Sequence, residues 1–384
     1  MVKNKFVEMY IQRMNAEPCV GVEIEMPIIN HNYPYQIDKM VINGLFTTLF
    51  NYSFMPISFD NGNDCIAARH QSEGDVISLE YSLNTLEFSL SKEDSIFGLE
   101  EKFDRYYSIC SVFLMQYQYS LEGNGINPNY HQINMKCLDQ NRYLTIERLL
   151  TNGKNGLEGN FCAYCCSVQT HVNISRKQLI DVLNMFTRIE KIKSNFFANS
   201  YMVETKLKDS RNFLWNKSNF GPNNSGSNPI FHSVDELVDD YLGRNLFFVE
   251  RGDDFLIFKE KQKIRDYFSK TSVEATNQYG ESVLVMPEED DFMNFRSYRS
   301  VELTKYGTIE IRTDCTQSVS RIFPMVAFNV GVVNKASEIN EYIKEKGTID
   351  FEQLLNFAKA GLKERNKREE RYWYSNEKNW NLDV

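Results

Sequence analysis

Several short stretches of this chain alternate strictly between apolar and polar residues, and between them lie longer stretches whose apolar residues recur every three or four positions. The first pattern predicts strands with one buried face, the second amphipathic helices. Cys19-Val-Gly-Val-Glu-Ile-Glu-Met26 sets Val20, Val22, Ile24 and Met26 on one face and Gly21, Glu23 and Glu25 on the other. Residues 85–91 set Leu86, Phe88 and Leu90 against Thr85, Glu87, Ser89 and Ser91, and just upstream Ile77 and Leu79 alternate with Ser78 and Glu80. Residues 167–174 set Val168, Val172 and Ile174 against Gln169, His171 and Asn173, and residues 308–314 set Ile309 and Ile311 against Glu310, Arg312 and Asp314.

The helical stretches carry start signals. Residues 92–118 place Ile96, Leu99, Phe103, Tyr106, Cys110, Phe113 and Tyr117 on one stripe behind Ser91 as N-cap, with Asp94 three residues later. Residues 176–197 repeat the design behind Ser175. Shorter helices are expected at 39–50 behind Asp38 and at 234–242, where Ser233 and Glu236 make a capping box. The stretches at about 319–343 and 350–372 also read as helical, the mixed charges from Lys363 to Arg371 as a solvated face, and Met1 to Asn15 as an amphipathic helix. No stretch approaches the roughly 18 unbroken apolar residues of a membrane span, and the start does not read as a signal peptide, so a cytoplasmic protein is expected.

Composition narrows the picture. Gly is 19 and Pro 9 in 384 residues, and no linker or repeat divides them, which favours one domain over 1–384 with a helical part from about 319. Lys+Arg 43 against Asp+Glu 52 leaves a net charge of −9, which argues against coating nucleic acid or an anionic membrane through the overall field. The eight cysteines are scattered and read as reduced thiols. Cys162, Cys165 and Cys166 cluster, but the five histidines form no pair three to five apart, so no zinc site is expected.

The polar faces of the strands carry the candidate chemistry. They offer Glu23, Glu25, Glu80, Glu87, His171 and Glu310 without a lysine. On neighbouring strands such carboxylates repel by roughly 1 kcal/mol per pair in water and several times that near a protein surface, so a cation is expected among them. Oxygen ligands with one imidazole suit Mg²⁺ or Mn²⁺ bridging phosphates, and Arg312 beside Glu310 suits a planar grip on phosphate or carboxylate. Glu23, Glu25 and Glu310 are accordingly expected on adjacent strands, converging on one cavity. Ser210-Arg211 and Trp215 lead into a Gly/Asn/Pro-rich run, 216–230, that reads either as a lid beside a site or as a plain surface loop. Gly123-Asn-Gly-Ile-Asn-Pro128 lacks the spacing and lysine of a phosphate-cradling loop, and no dinucleotide fingerprint is present.

Gly21-Val-Glu-Ile-Glu25, Leu79-Glu80 with Glu87, Cys166-Ser-Val-Gln-Thr-His-Val-Asn173, Ser210-Arg211 with Trp215, and Gly307-Thr-Ile-Glu-Ile-Arg-Thr-Asp314 stand in the order seen in the glutamate-cysteine ligase family, which the chain resembles over residues 19–314. The resemblance implies an α+β fold: a curved, mainly antiparallel, funnel-like sheet as in glutamine synthetase, with helices on its outer face and ATP and divalent metal on the inner one. It implies an ATP-dependent carboxylate-amine ligase that forms an amide from a small-molecule carboxylic acid, expected to be an amino acid, and an amine, through an acyl phosphate. Glu23, Glu25, Glu80, Glu87, His171 and Glu310 then match the metal ligands. Arg312, Arg211 and Glu310 match the catalytic positions, and Gln169 and Arg312 the nucleotide-binding ones. The further arginine usual in the family after the Trp215 motif is replaced here by Lys217. An amide ligase of a natural-product pathway with other substrates, or a guanidino-kinase-like phosphotransferase, is the alternative.

Overall fold

β1 (Val20–Asn30) shows why the alternation matters: Val20, Val22, Ile24 and Met26 are each at most 1% exposed, so one face of the strand is sealed against helices. The computed structural model of the chain describes residues 2–151, 156–252, 254–295 and 297–365. Strands are numbered in chain order. β2 (Phe54–Phe59), β3 (Cys65–His70), β4 (Val76–Leu79), β5 (Thr85–Glu93), β6 (Tyr119–Leu121) and β7 (Ser167–Asn173) join β1, β14 (Val301–Leu303) and β15 (Thr308–Cys315) in one nine-stranded sheet. Its order is β14-β15-β7-β1-β5-β4-β3-β2, with β6 on β1, and every pairing in it is antiparallel. Residues 245–285, which lack clean alternation, form a second antiparallel sheet of β9 (Asn245–Arg251), β10 (Asp254–Lys263), β11 (Val273–Thr276) and β12 (Ser282–Val285). The two-residue strands β8 (Ser225–Gly226) and β13 (Tyr298–Arg299) pair in parallel.

Helices cover the apolar face. Leu99, Phe103, Tyr106, Cys110 and Leu114 of the helix Ile96–Met115 are buried, and this helix packs on β5, β6 and β1. The helix Val319–Asn334 is buried from Ile322 through Val333, because it touches β7 on one side and the helix Phe351–Arg365 on another. A helix enclosed in this way has no need of a polar face. No described helix is long and apolar enough to cross a membrane.

Asp38 accepts from the Met40 N–H at 2.8 Å and Ser233 from the Glu236 N–H at 3.2 Å, capping the helices Lys39–Phe50 and Val234–Gly243 as expected, but the reciprocal half of the capping box is displaced by one residue: the Glu236 carboxylate accepts from the His232 N–H at 2.7 Å. Four boundaries differ from expectation. Ser91 is not a cap: β5 runs to Glu93, the Ser91 N–H donates to the buried Asp75 carboxylate at 2.7 Å, and Ser95 caps the helix by accepting from the Gly98 N–H at 3.2 Å. Behind Ser175 a 3₁₀ turn, Arg176–Gln178, precedes the helix Leu179–Phe196. The stretch 319–343 is two helices, Val319–Asn334 and Ala336–Lys346. The N-terminal helix stops early, as Val2–Phe6 followed by a π turn Val7–Ile11. Met1, the part of the expected 350–372 helix beyond Arg365 and the charged residues 366–371 lie outside the described residues.

The run 216–230 is exposed at about half of its residues and anchored inward at others. Asn224, Ser225 and Asn228 are buried, and asparagine amides replace absent backbone partners: Asn228 Nδ2 donates to the Val301 carbonyl at 2.6 Å and Asn224 Nδ2 to that of Asn245 at 2.8 Å. Asn219 Nδ2 likewise donates to the Leu149 and Leu150 carbonyls at 3.1 and 2.9 Å. These bonds satisfy buried carbonyls and tie the segment to the neighbouring strands and helix.

The helices Val319–Asn334 and Phe351–Arg365 cross at Gly331 and Gly361, where a Cβ on Gly361 would overlap the Gly331 carbonyl and one on Gly331 the Ala358 carbonyl. Gly361→Ala is expected to force the pair apart and lower stability by about 1–3 kcal/mol, read as a lower denaturation midpoint. An unchanged midpoint would show that the crossing tolerates a methyl group.

Candidate active site

The register of the sheet assembles the polar face. Glu23 of β1 pairs with Gln169 of β7, and Glu25 with Glu87 of β5. His171 of β7 pairs with Glu310 of β15, which in turn pairs with Glu302 of β14. Directly paired residues share a face, so these side chains rise on the same side of the sheet. That side walls a cavity of about 1150 Å³ lined by all nine residues singled out in the sequence: Glu23, Glu25, Glu80, Glu87, Gln169, His171, Arg211, Glu310 and Arg312. One expectation needs correcting, since the strand of Glu310 is not adjacent to that of Glu23 and Glu25. β7 lies between them and contributes His171.

The structure divides the six expected metal ligands into two sets. Glu23, His171 and Glu310 each present a donor atom, and these atoms all lie within 4.8 Å of one another. His171 Nε2 is 3.4 Å from Glu23 Oε1 and 4.0 Å from Glu310 Oε1, yet it is buried without a hydrogen-bond partner. Burial works against a charged imidazole there, but Glu23 and then Glu310 outweigh it and raise the His171 pKa. Burial likewise works against ionised Glu23, and His171 and Arg312 hold it below the ordinary carboxylate value. Two carboxylates and an imidazole nitrogen without a protein donor form a set that fits a hard divalent cation.

The other three carboxylates have partners of their own. Glu25 accepts from the Ser167 N–H at 2.7 Å, the Ser167 hydroxyl at 2.9 Å and Gln169 Nε2 at 3.0 Å. Burial nevertheless pushes its pKa up to about 7. Glu80 accepts from the Tyr143 hydroxyl at 3.2 Å, and its pKa is raised by burial and by Glu23 against the pull of Arg142. Glu87 accepts from Ser89 Oγ, and burial followed by Glu80, Glu23 and Glu25 drives its pKa well above the ordinary value.

Arg312 is ion-paired with Glu310, and its guanidinium lies 5.9 Å from the centre of the Tyr298 ring. Arg211 is buried and donates from Nη1 to the Arg312 carbonyl at 3.0 Å, so the two arginines are positioned together. Trp215 stacks on Tyr298 with centroids 4.6 Å apart and rings 19° from parallel. Lys217 sets its ammonium over the Phe213 ring at 4.3 Å. Cys162 and Cys165 also line the cavity, but burial keeps both thiols protonated.

Sequence reasoning missed Arg142, Tyr143 and Glu302, which line the same cavity. Val301-Glu302-Leu303 carried the alternation that would have flagged Glu302. Arg142 lies in the first turn of the helix Asn141–Thr151, and no period marks its approach to Glu80.

No family model and no curated protein matches the sequence. Among solved structures, the chain is similar to a glutamate–cysteine ligase from Francisella tularensis in complex with AMP, at 10% identity, 95% of this chain, 82% of that one and a TM-score of 0.45. Apo GmaS is similar at 9% identity over 100% of this chain and 74% of that one, TM-score 0.36. A bifunctional glutathione synthetase from Pasteurella multocida is similar at 12% identity over 98% of this chain and 50% of that one, TM-score 0.39. TM-scores below 0.5 at such identities carry no weight for function, and the side chains in the cavity must supply it.

A carboxyl that holds its proton more tightly folded than unfolded adds stability at low pH and loses it as pH climbs to the folded pKa. For Glu25 that window runs from 4.5 to about 7. The metal-free protein is therefore expected to lose on the order of 3 kcal/mol from this group across the window, and Glu25→Gln to flatten that part of the stability–pH curve. Parallel curves for the two proteins would contradict the assignment.

Proposed function

We propose that the chain is an ATP-dependent carboxylate-amine ligase, a single catalytic domain whose sheet forms one wall of a funnel for ATP and Mg²⁺ or Mn²⁺. It activates a carboxylic acid as an acyl phosphate and passes the acyl group to an amine, with glutamate and cysteine as the first substrates to try. One observation carries this reading: Glu23, His171 and Glu310 bring donor atoms within 4.8 Å of one another beside Arg312, in a cavity with room for a nucleotide and an amino acid.

Glu23, His171 and Glu310 would hold the metal, with Glu25, Glu80 and Glu87 on the same wall. A bound divalent ion supplies neutralising charge for a triphosphate. Arg312 offers a planar fork to a phosphoryl oxygen, which stabilises charge that develops as the substrate carboxylate attacks the γ-phosphorus. Arg211, fixed through the Arg312 carbonyl, anchors a second anionic group, and Gln169 with Arg312 contacts the nucleotide. The amine then attacks the activated carbonyl, phosphate leaves with its bridging oxygen, and the amine gives up a proton. No protein nucleophile is required, consistent with the protonated thiols of Cys162 and Cys165.

An amino-acid panel with ATP and Mg²⁺, scored for ADP first without and then with candidate amines, tests the reading; ADP release that needs no carboxylate acceptor would contradict it. Glu310→Gln is expected to abolish turnover while leaving the fold intact by circular dichroism, and undiminished turnover at saturating Mg²⁺ would count against the metal site.

Arg312→Lys is expected to lower kcat by about 10²–10³ with a smaller effect on ATP binding, because a point charge replaces the fork. With an ¹⁸O-labelled acid, label is expected in the released phosphate. Unlabelled phosphate with amide still formed would replace the acyl phosphate by another activation.

A further inference from the structure

Where the helix Ser210–Lys217, the end of β15 and the β8–β13 ribbon meet, there is a second cavity of about 20 Å³. Arg211, Arg299, Arg312, Trp215, Tyr298 and Glu190 are among its walls, and all of these except Arg299 and Glu190 also line the large cavity. The two spaces share a partition of two guanidiniums and an aromatic stack.

Arg211 and Arg299 are 5% and 7% exposed, and the Nε–H of each is buried with no hydrogen-bond partner. The Nη hydrogen bonds described for them run to neutral oxygens. Arg211 Nη1 binds the Arg312 carbonyl and, at 3.3 Å, Asn212 Oδ1, while Arg299 binds the carbonyls of Ser227 and Asn223. Nearby carboxylates are engaged elsewhere. Asp240 lies 3.9 Å from Arg299 Nη2 but only 2.8 Å from Arg244, Glu310 pairs with Arg312, and both oxygens of Glu190 accept from the hydroxyls of Ser227 and Ser300. Burial and the like charge of Arg244 press Arg299 below the ordinary guanidinium range, a sign of cations crowded together.

We propose that this cavity binds a single small monovalent anion, chloride in the working protein, between the Nε–H groups of Arg211 and Arg299. About 10–15 Å³ is the least that houses one water, so the space has room for one small ion. Water would bring two O–H donors into a site already rich in donors. An anion accepts from both guanidiniums and asks for no acceptor in return. Holding Arg211 from behind, it would fix the guanidinium that faces the large cavity. Binding is measured without turnover, so it stands or falls separately from the ligase reading.

The test uses the full chain crystallised in bromide. An anomalous peak touching both Nε atoms is expected, and water density or an empty cavity there at saturating bromide overturns the proposal. In solution the unfolding midpoint is expected to rise saturably in potassium chloride relative to potassium gluconate at equal ionic strength, and Arg299→Gln to abolish that response. A rise shared by wild type and variant is a general salt effect and also overturns it, as does a crystal peak with no saturable response in solution. If Arg299→Gln does not fold, the bromide map and the wild-type titration decide.

Discussion

The face of the central sheet is held together by a conflict. Period-two geometry compels every second side chain of β1, β5, β7 and β15 onto one side, and on that side the chain places six carboxylates, Glu302 included, around a single imidazole. Such a face is unfavourable by itself, because each carboxylate raises the cost of ionising the next. The surrounding structure divides the load. Ser167 and Gln169 hold Glu25, Tyr143 holds Glu80, Ser89 holds Glu87 and Arg244 holds Glu302, which leaves Glu23 and His171 facing each other beside Glu310, whose partner is Arg312. Local satisfaction of most of the acids is thus what sets Glu23 and Glu310, with His171, apart as a place for a cation.

The arginines complete the same division. Arg312 answers Glu310 directly, and Arg211 reaches it only through the backbone carbonyl, which leaves part of its guanidinium for another partner. The Trp215–Tyr298 stack and the inward-turned asparagines of 216–230 hold this region without covering the cavity, whose lining includes Trp215 and Tyr298 but no residue from 216–230.

How much of this could be read from the sequence depended on whether the information was periodic. The parity of Glu23, Glu25, Glu87, His171 and Glu310 was legible because the opposite faces, Val22, Ile24, Phe88, Val172 and Ile309, are sealed and a one-residue slip would expose them all. Strand order was not legible: nothing in the chain says that β7 inserts between β1 and β15. Ser91 resembles a cap as closely as Ser95 does, and only the carboxylate of Asp75, which claims the Ser91 N–H, separates them. Arg142 was invisible for the same reason as the strand order, since its nearness to Glu80 is a tertiary fact, and β9 to β12 were hidden because strands with broken alternation look like loops.

The position of β1 in the sheet has a consequence for the order in which the molecule is made. Its neighbour β5 arrives soon after it and, with β2 to β4, forms a run of sequence-local hairpins, whereas β7 follows only after the helices Ile96–Met115 and Asn141–Thr151 and β15 only near residue 315. Contacts between distant segments are the slow ones to form. During synthesis one border of β1 therefore waits without its partner, an open strand edge of the kind that invites pairing with other chains. The acidic face is completed at that same seam, so Glu23 first meets His171 and Glu310 when most of the chain has been made, and the cation-binding geometry is itself a late event in the protein's birth.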